Sequence, residues 1–207
     1  NERLTRLSLG PNGEEGNGGS FYPAISDDGT RVVFESHATN LDLNQTTSGK
    51  QVFLWTESND TASGTGTVSV VSNGNADSFD ASISSDGTRI VFTTFADNLV
   101  NPDKLVTDER DTNKDSDVLL WENGKFYFVG RAEDVSLPTI GSTTERSLVT
   151  HEPSISSNGE MITFVSSARN MVTGKGLAHI LIEDVGVGYP AGSTVPINDD
   201  NGSGAAV

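Results

Sequence analysis

The sequence contains no cysteine among its 207 residues. Disulfide staples and thiolate chemistry are thereby excluded, although the missing cysteine does not fix a compartment. Positive charge is also scarce. Thirteen Lys and Arg stand against 29 Asp and Glu, for a formal net charge of −16. Phosphate backbones need a basic face, so nucleic acid is disfavoured as a partner. An acidic balance suits cation binding or a well-solvated surface. No apolar run approaches the roughly 20 residues that span a bilayer, so no membrane span is expected. Residue 1 is Asn, not Met, and no signal peptide is evident, so the chain reads as a processed product or an excerpt. Catalytic signatures are missing too: there is no HExxH, no GxSxG and no phosphate-binding glycine-rich loop. His37, His151 and His179 fall on separate expected elements and read as structural residues. Carboxylates are plentiful, yet nothing marks a glycosidase-like pair.

What the chain does have is a repeat. Ala24-Ile25-Ser26-Asp27-Asp28-Gly29-Thr30-Arg31-Val32-Val33-Phe34 returns as Ser82-Ile83-Ser84-Ser85-Asp86-Gly87-Thr88-Arg89-Ile90-Val91-Phe92. It returns again as Ser154-Ile155-Ser156-Ser157-Asn158-Gly159-Glu160-Met161-Ile162-Thr163-Phe164. Asp-Gly or Asn-Gly between β-rich runs predicts a tight hairpin, because glycine accepts positive φ without a steric cost. The turn glycines lie 58 and then 72 residues apart, with the extra length in a Ser/Thr-rich insertion over 130–150. That insertion is expected to be a surface loop, with a short extra strand over Arg146–Val149.

Each hairpin is followed by further β-rich runs. The first unit continues with Gln51–Trp55 and Thr67–Val71, and the second with Asp117–Trp121 and Lys125–Val129. Asn123-Gly124 predicts a tight turn between the last two. Trp55 and Trp121 occupy matching places and are expected in the core. The third unit offers Ala178–Glu183 but no fourth strand. Ahead of the repeats, Arg3–Leu9 alternates apolar and polar residues, which predicts a half-buried strand.

Four strands per unit, the Ser-Asp-Gly hairpin and the segments at 38–41, 96–99 and 168–171 resemble the TolB-like, or WD-repeat-like, β-propeller family. The expected fold is all-β. It comprises about three four-stranded propeller-like blades, an incomplete propeller, plus a short C-terminal β segment. The resemblance covers about residues 3–183 and implies a propeller domain over 1–185, with blades over about 20–72, 78–130 and 150–185 and with 3–9 as a swapped or closing strand. Residues 186–207 read as a C-terminal β segment or the start of a further module, in which Pro196 suits only an edge strand. Propellers close with four to eight blades, so three leave open ends. Such ends are completed by further blades or by a neighbouring copy, and a head-to-tail contact that does not close makes a fibre.

The candidate metal site is Asp111, Asn113, Asp115 and Asp117, with Asp103 and Asp108 as further oxygen donors. Alternating oxygens suit calcium, although the glycine and the terminal glutamate of an EF-hand loop are absent. The other reading is a solvated acidic loop. Asn198–Asn201 is a weaker candidate of the same kind, and no site is assigned at Asp42 and Asn44. Sequons place candidate glycosylation at Asn44, Asn59 and Asn201. The expected function is a non-enzymatic structural or interaction module of a secreted or surface protein, stabilised by calcium. Its partners would be copies of itself, neighbouring domains of a longer chain, or glycans. Two alternatives stand beside it: a propeller enzyme or carbohydrate-binding accessory domain, and a periplasmic partner-binding propeller.

Overall fold

The computed structural model describes residues 4–58, 65–100, 115–132, 150–166, 171–172 and 179–182. Within them the protein is all-β, with no helix. The first unit is an antiparallel meander of β1 (Ser20–Ile25), β2 (Arg31–Ser36), β3 (Gln51–Glu57) and β4 (Gly66–Val70), paired in that order. The second repeats it with β5 (Ser78–Ile83), β6 (Arg89–Thr94), β7 (Asp117–Glu122) and β8 (Lys125–Ala132). A short β11 (Met171–Val172) adds to the free edge of β8. The third unit pairs β9 (Thr150–Ile155) with β10 (Met161–Ser166) as an antiparallel hairpin.

The third unit then departs from the meander. β12 (His179–Ile182) pairs with β10 in parallel, not antiparallel. A parallel neighbour needs a crossover connection, and the chain visits the second sheet through β11 before returning. Among the described residues no sheet closes on itself. The strand expected over Arg3–Leu9 is not formed over residues 4–8. Alternation supplies a face to bury but no partner, and the chain bends instead: the Leu9 N–H bonds Leu7 O, and Leu9 makes only an isolated bridge to Glu15. Leu7 packs on the first sheet through its side chain, while Leu4 is fully exposed. The expected strand at Arg146–Val149 and the segment 186–207 lie outside the described residues.

The second strand of each meander is apolar at consecutive positions because both faces are covered. In β2, Val33 faces one cluster with Ile90, Phe92 and Leu119 of the second unit. Its neighbours Val32 and Phe34 face another, with Phe53, Trp55, Ala38 and Leu41. In β6 the same division sends Ile90 and Phe92 towards the first unit and Val91 towards Ile155, Ile162 and Phe164 of the third. The units therefore stack sheet on sheet, each interface filled from both sides. Both tryptophans sit in this packing, Trp55 on the outer side of the first unit and Trp121 between the first and second.

Phe92 is fully buried between the first and second units, edge-on to Phe126 at 6.2 Å. Replacing Phe92 by Ala is expected to cost about 3–5 kcal/mol, read as a fall in the urea midpoint with an unchanged slope. A loss below about 1 kcal/mol would mean that the inter-unit core is not the main source of stability.

Candidate functional site

The three repeated turns form the site. Their local chemistry is a small set of side-chain clips. In the first turn the Ser26 hydroxyl donates to Asp28 Oδ1 at 2.6 Å and accepts the Arg31 N–H at 3.0 Å. The Thr30 N–H donates to Asp28 Oδ1 at 3.0 Å. Ser84, Asp86, Thr88 and Arg89 repeat these bonds, as do Ser156, Asn158, Glu160 and Met161. In each turn the glycine N–H bonds the serine carbonyl three residues back. Only the glycine adopts positive φ, 73° at Gly29, 67° at Gly87 and 72° at Gly159. The loop is thus a longer, serine-closed turn and not the two-residue hairpin that Asp-Gly suggests. Asn123-Gly124 is the two-residue form, with φ of 51° and 77° at its centre.

Backbone and arginine bonds join the turns in one direction, and the Ser85 hydroxyl donates back to Asp27 Oδ2 at 2.6 Å. The Asp27 N–H donates to Ser85 O at 2.9 Å, and the Ser85 N–H donates to Ser157 O at 2.9 Å. Arg31 Nη1 donates to Gly87 O at 2.9 Å, and Arg89 Nη1 to Gly159 O at 2.9 Å. Each arginine lies across the glycine of the next unit. A Cβ at Gly87 would stand 2.5 Å from Arg31 Cδ, and one at Gly159 would stand 2.8 Å from Arg89 Cδ. Glycine is needed here for close approach as well as for φ.

Behind the turns, β1 lies against β5 and β5 against β9. All three carry a bulge with a non-glycine residue at positive φ: Tyr22 at 50°, Asp80 at 54° and Glu152 at 54°. Such residues cost roughly 1–3 kcal/mol each and persist only where the surroundings hold them. At Asp80 the holding contact is visible. Its N–H donates to Glu35 Oε1 at 2.7 Å. Glu35 is fully buried, and its other oxygen accepts from Lys50 Nζ at 3.0 Å. Lys50 in turn lies 5.2 Å from the Phe79 ring centre and 5.9 Å from that of Tyr22. A buried carboxylate is stable here because a cation and a backbone donor both face it.

Exposure along the inner strands is uneven. Ile25, Ile83 and Ile155 are equivalent by sequence, yet Ile25 is 62% exposed and Ile155 only 8%. Phe21 and Tyr22 of β1 are exposed with Ile25. Gly29 is exposed, whereas Gly87 and Gly159 are buried. The inner part of the first unit therefore has no neighbour among the described residues, while Leu7 covers the outer part of the same side.

Of the metal candidates, Asp111 and Asn113 lie outside the described residues, as do Asp103, Asp108 and Asn198–Asn201. Asp115 is half-buried, and Asp117 is buried at the start of β7, opposite Thr94. Asn44 is exposed and donates to Asp42 Oδ1, while Asp42 Oδ2 accepts the Val70 N–H and ties this loop to β4. Asn59 and Asn201 lie outside the described residues. His37 is exposed, edge-on to Phe21, and His151 stands 3.5 Å from Glu152 on β9. Among the described residues no three His, Asp or Glu side chains converge as a metal group.

Two features escaped the sequence reading. One is the Glu35–Lys50–Asp80 contact, whose members are 15 and 45 residues apart. The other is an asparagine clip ahead of the first and second units. The Thr39 N–H donates to Asn17 Oδ1 and the Asp97 N–H to Asn75 Oδ1; Asn17 and Asn75 in turn donate through their N–H groups to Asn40 and Asn98. Its signal was present: Gly16-Asn17 before Ser20-Phe21 returns as Gly74-Asn75 before Ser78-Phe79. No protein-family model matches this chain, and neither does any curated protein.

Two outcomes follow for the site. The Ser84 hydroxyl, then the N–H and hydroxyl of Thr88, hold the Asp86 carboxyl down at about 2, and the same contacts lower Asp28. A depressed carboxyl stabilises the fold above its unfolded value of about 3.9 and loses that contribution as pH falls towards 2. The melting temperature of Asp86→Asn should therefore fall less steeply than wild type between pH 4 and 2, since Asn158 shows that an amide keeps the clip. Equal slopes would remove Asp86 from the acid response. Glu35→Ala, which leaves the Asp80 N–H and Lys50 without their acceptor, should cost about 1–3 kcal/mol in a denaturant titration.

Proposed function

We propose that this chain is a non-enzymatic interaction module that extends its own stack of β units by binding further β units at the inner side of the first. One observation carries this reading. The same inner-strand surface is covered in the third unit and bare in the first, with Ile155 8% and Ile25 62% exposed. Phe21, Tyr22 and Ile25 are large apolar residues left exposed on β1, beside a turn whose two counterparts are both engaged. The interface between units is modular and directional, so a further unit can be added without changing those in place. Propeller-like blades are the architecture that best accounts for sheet-on-sheet stacking with inner strands side by side. A head-to-tail chain of copies, forming a fibre, is the assembly this directionality favours. Secretion or surface display suits such a module.

Calcium is the proposed stabiliser of the 111–117 loop. Support comes from Asp115 and Asp117, which place two carboxylates at the loop's entry into β7, one of them buried. Hard cations prefer such oxygens. The third unit shows fewer apolar residues on its outward side, with Thr163 where the other units have Val33 and Val91. Growth by copies is therefore expected to be weak and to depend on concentration.

Sedimentation velocity over a concentration series, with electron micrographs of the same samples, tests the reading. Association should rise with concentration and fall in Ile25→Glu, a change at an exposed position that leaves the fold intact. Chelation should lower the melting temperature if calcium fills the loop. A folded monomer at every concentration, unaffected by Ile25→Glu, would overturn self-association.

A further inference from the structure

We infer that the first turn is a socket for an arginine, presented by a β-hairpin that carries it two residues after the turn glycine. The inference deepens the interaction reading above and rests on it, by naming the chemistry of the partner. The socket is seen filled twice within the molecule. Arg31 crosses Gly87 and donates to its carbonyl, and Arg89 crosses Gly159 in the same way. Gly29 has the same backbone, with φ of 73° against 67° and 72°. Yet it is exposed, and among the described residues nothing stands within 4 Å of its Cβ position.

The other parts of the socket are also in place. Asp27 O corresponds to Ser85 O and Ser157 O, each of which accepts an N–H from the preceding unit. The Tyr22 N–H, on a bulge at φ 50°, corresponds to the Asp80 N–H that binds Glu35. Asp28 is exposed on the same turn and favours a cation there, whereas the Asp27 carboxylate is turned to the second unit, where it accepts the Ser85 hydroxyl at 2.6 Å. Arginine fits better than lysine. Its stem lies along the glycine while its fixed fork still reaches the carbonyl, which a single ammonium on a flexible stem does less well.

The far end of this molecule does not carry the matching group. In the third unit Met161 takes the place of Arg31 and Arg89, and it is 46% exposed. An unaltered second copy therefore brings methionine to Gly29, an apolar contact without the hydrogen bond. The preferred occupant is an arginine-bearing hairpin of another unit.

Met161→Arg supplies the missing side chain, so that each copy carries both plug and socket. Its head-to-tail association, measured by sedimentation equilibrium, should be about tenfold stronger than wild type, the scale of one hydrogen bond from a charged donor. Adding Gly29→Asn should reverse the gain. Asparagine tolerates positive φ, so the turn persists while its side chain fills the space the arginine needs. Circular dichroism and a thermal melt establish that each variant is folded. If folded Met161→Arg associates no more strongly than wild type, the socket does not read arginine and the inference is lost. Wild-type association that Ile25→Glu abolishes would in that case leave the interaction reading standing. If the gain survives Gly29→Asn, arginine binds elsewhere and the inference fails again. Where neither wild type nor Met161→Arg associates, both readings fall.

Discussion

The arginine laid across the next unit's glycine is the contact on which the arrangement of units depends. It needs three things at once. A turn must place glycine at positive φ, an arginine must stand two residues after the preceding turn's glycine, and the turns must be stacked within reach of one guanidinium. The serine clip meets the first requirement by closing the loop on its own backbone. Two-faced burial of β2 and β6 meets the last, because only sheets packed face to face bring successive turns together. The hydrogen bonds at 2.9 Å then set register between units that the apolar core alone would leave free to slide. Hydrophobic burial supplies the larger share of stability, and the turns decide which alignment receives it.

A second layer of control sits one bulge further along the inner strands. Positive φ at Tyr22, Asp80 and Glu152 recurs in all three units, so it belongs to the architecture and not to a single reactive site. The cost of that backbone is offset in different ways. The second unit uses Glu35 and Lys50. The other units do not repeat that pair: Thr93 and Val165 stand where Glu35 does in the first. The buried ion pair is therefore specific to the junction of the first and second units, whereas at the junction of the second and third the Ile155 N–H donates to Ser82 Oγ at 3.4 Å beside apolar contact and the turns.

The all-β class, the three hairpins and nearly every strand of the first two units were legible in the sequence, because β-rich apolar runs and turn residues are local signals. The core placement of Trp55 and Trp121 was legible for the same reason. Pairing direction was not. β12 has the composition of a third meander strand, and only its route through β11 makes it parallel to β10. The Arg3–Leu9 run carried a true apolar face, yet a strand also needs an edge to bond, which no local pattern reports. The site was legible in part. Arginine after Gly-Thr could be read twice, but its reach to a glycine 56 or 70 residues on depends on how the sheets stack. Glu35 looked like an ordinary charged residue at a strand end until burial and the Asp80 bulge gave it a role.

The main-chain and arginine bonds between the turns run one way: backbone N–H and guanidinium donate forward and carbonyls accept from behind, while the Ser85 hydroxyl donates back to Asp27. In their main-chain and arginine groups the two faces of the stack are consequently unlike, one offering acceptors and the other donors. A twofold axis relates like to like, so two copies placed face to face by such an axis could not reproduce this contact. Whatever reuses it inherits a vector, with a leading tip chemically distinct from the trailing one, and lengthening at the two tips would proceed at different speeds.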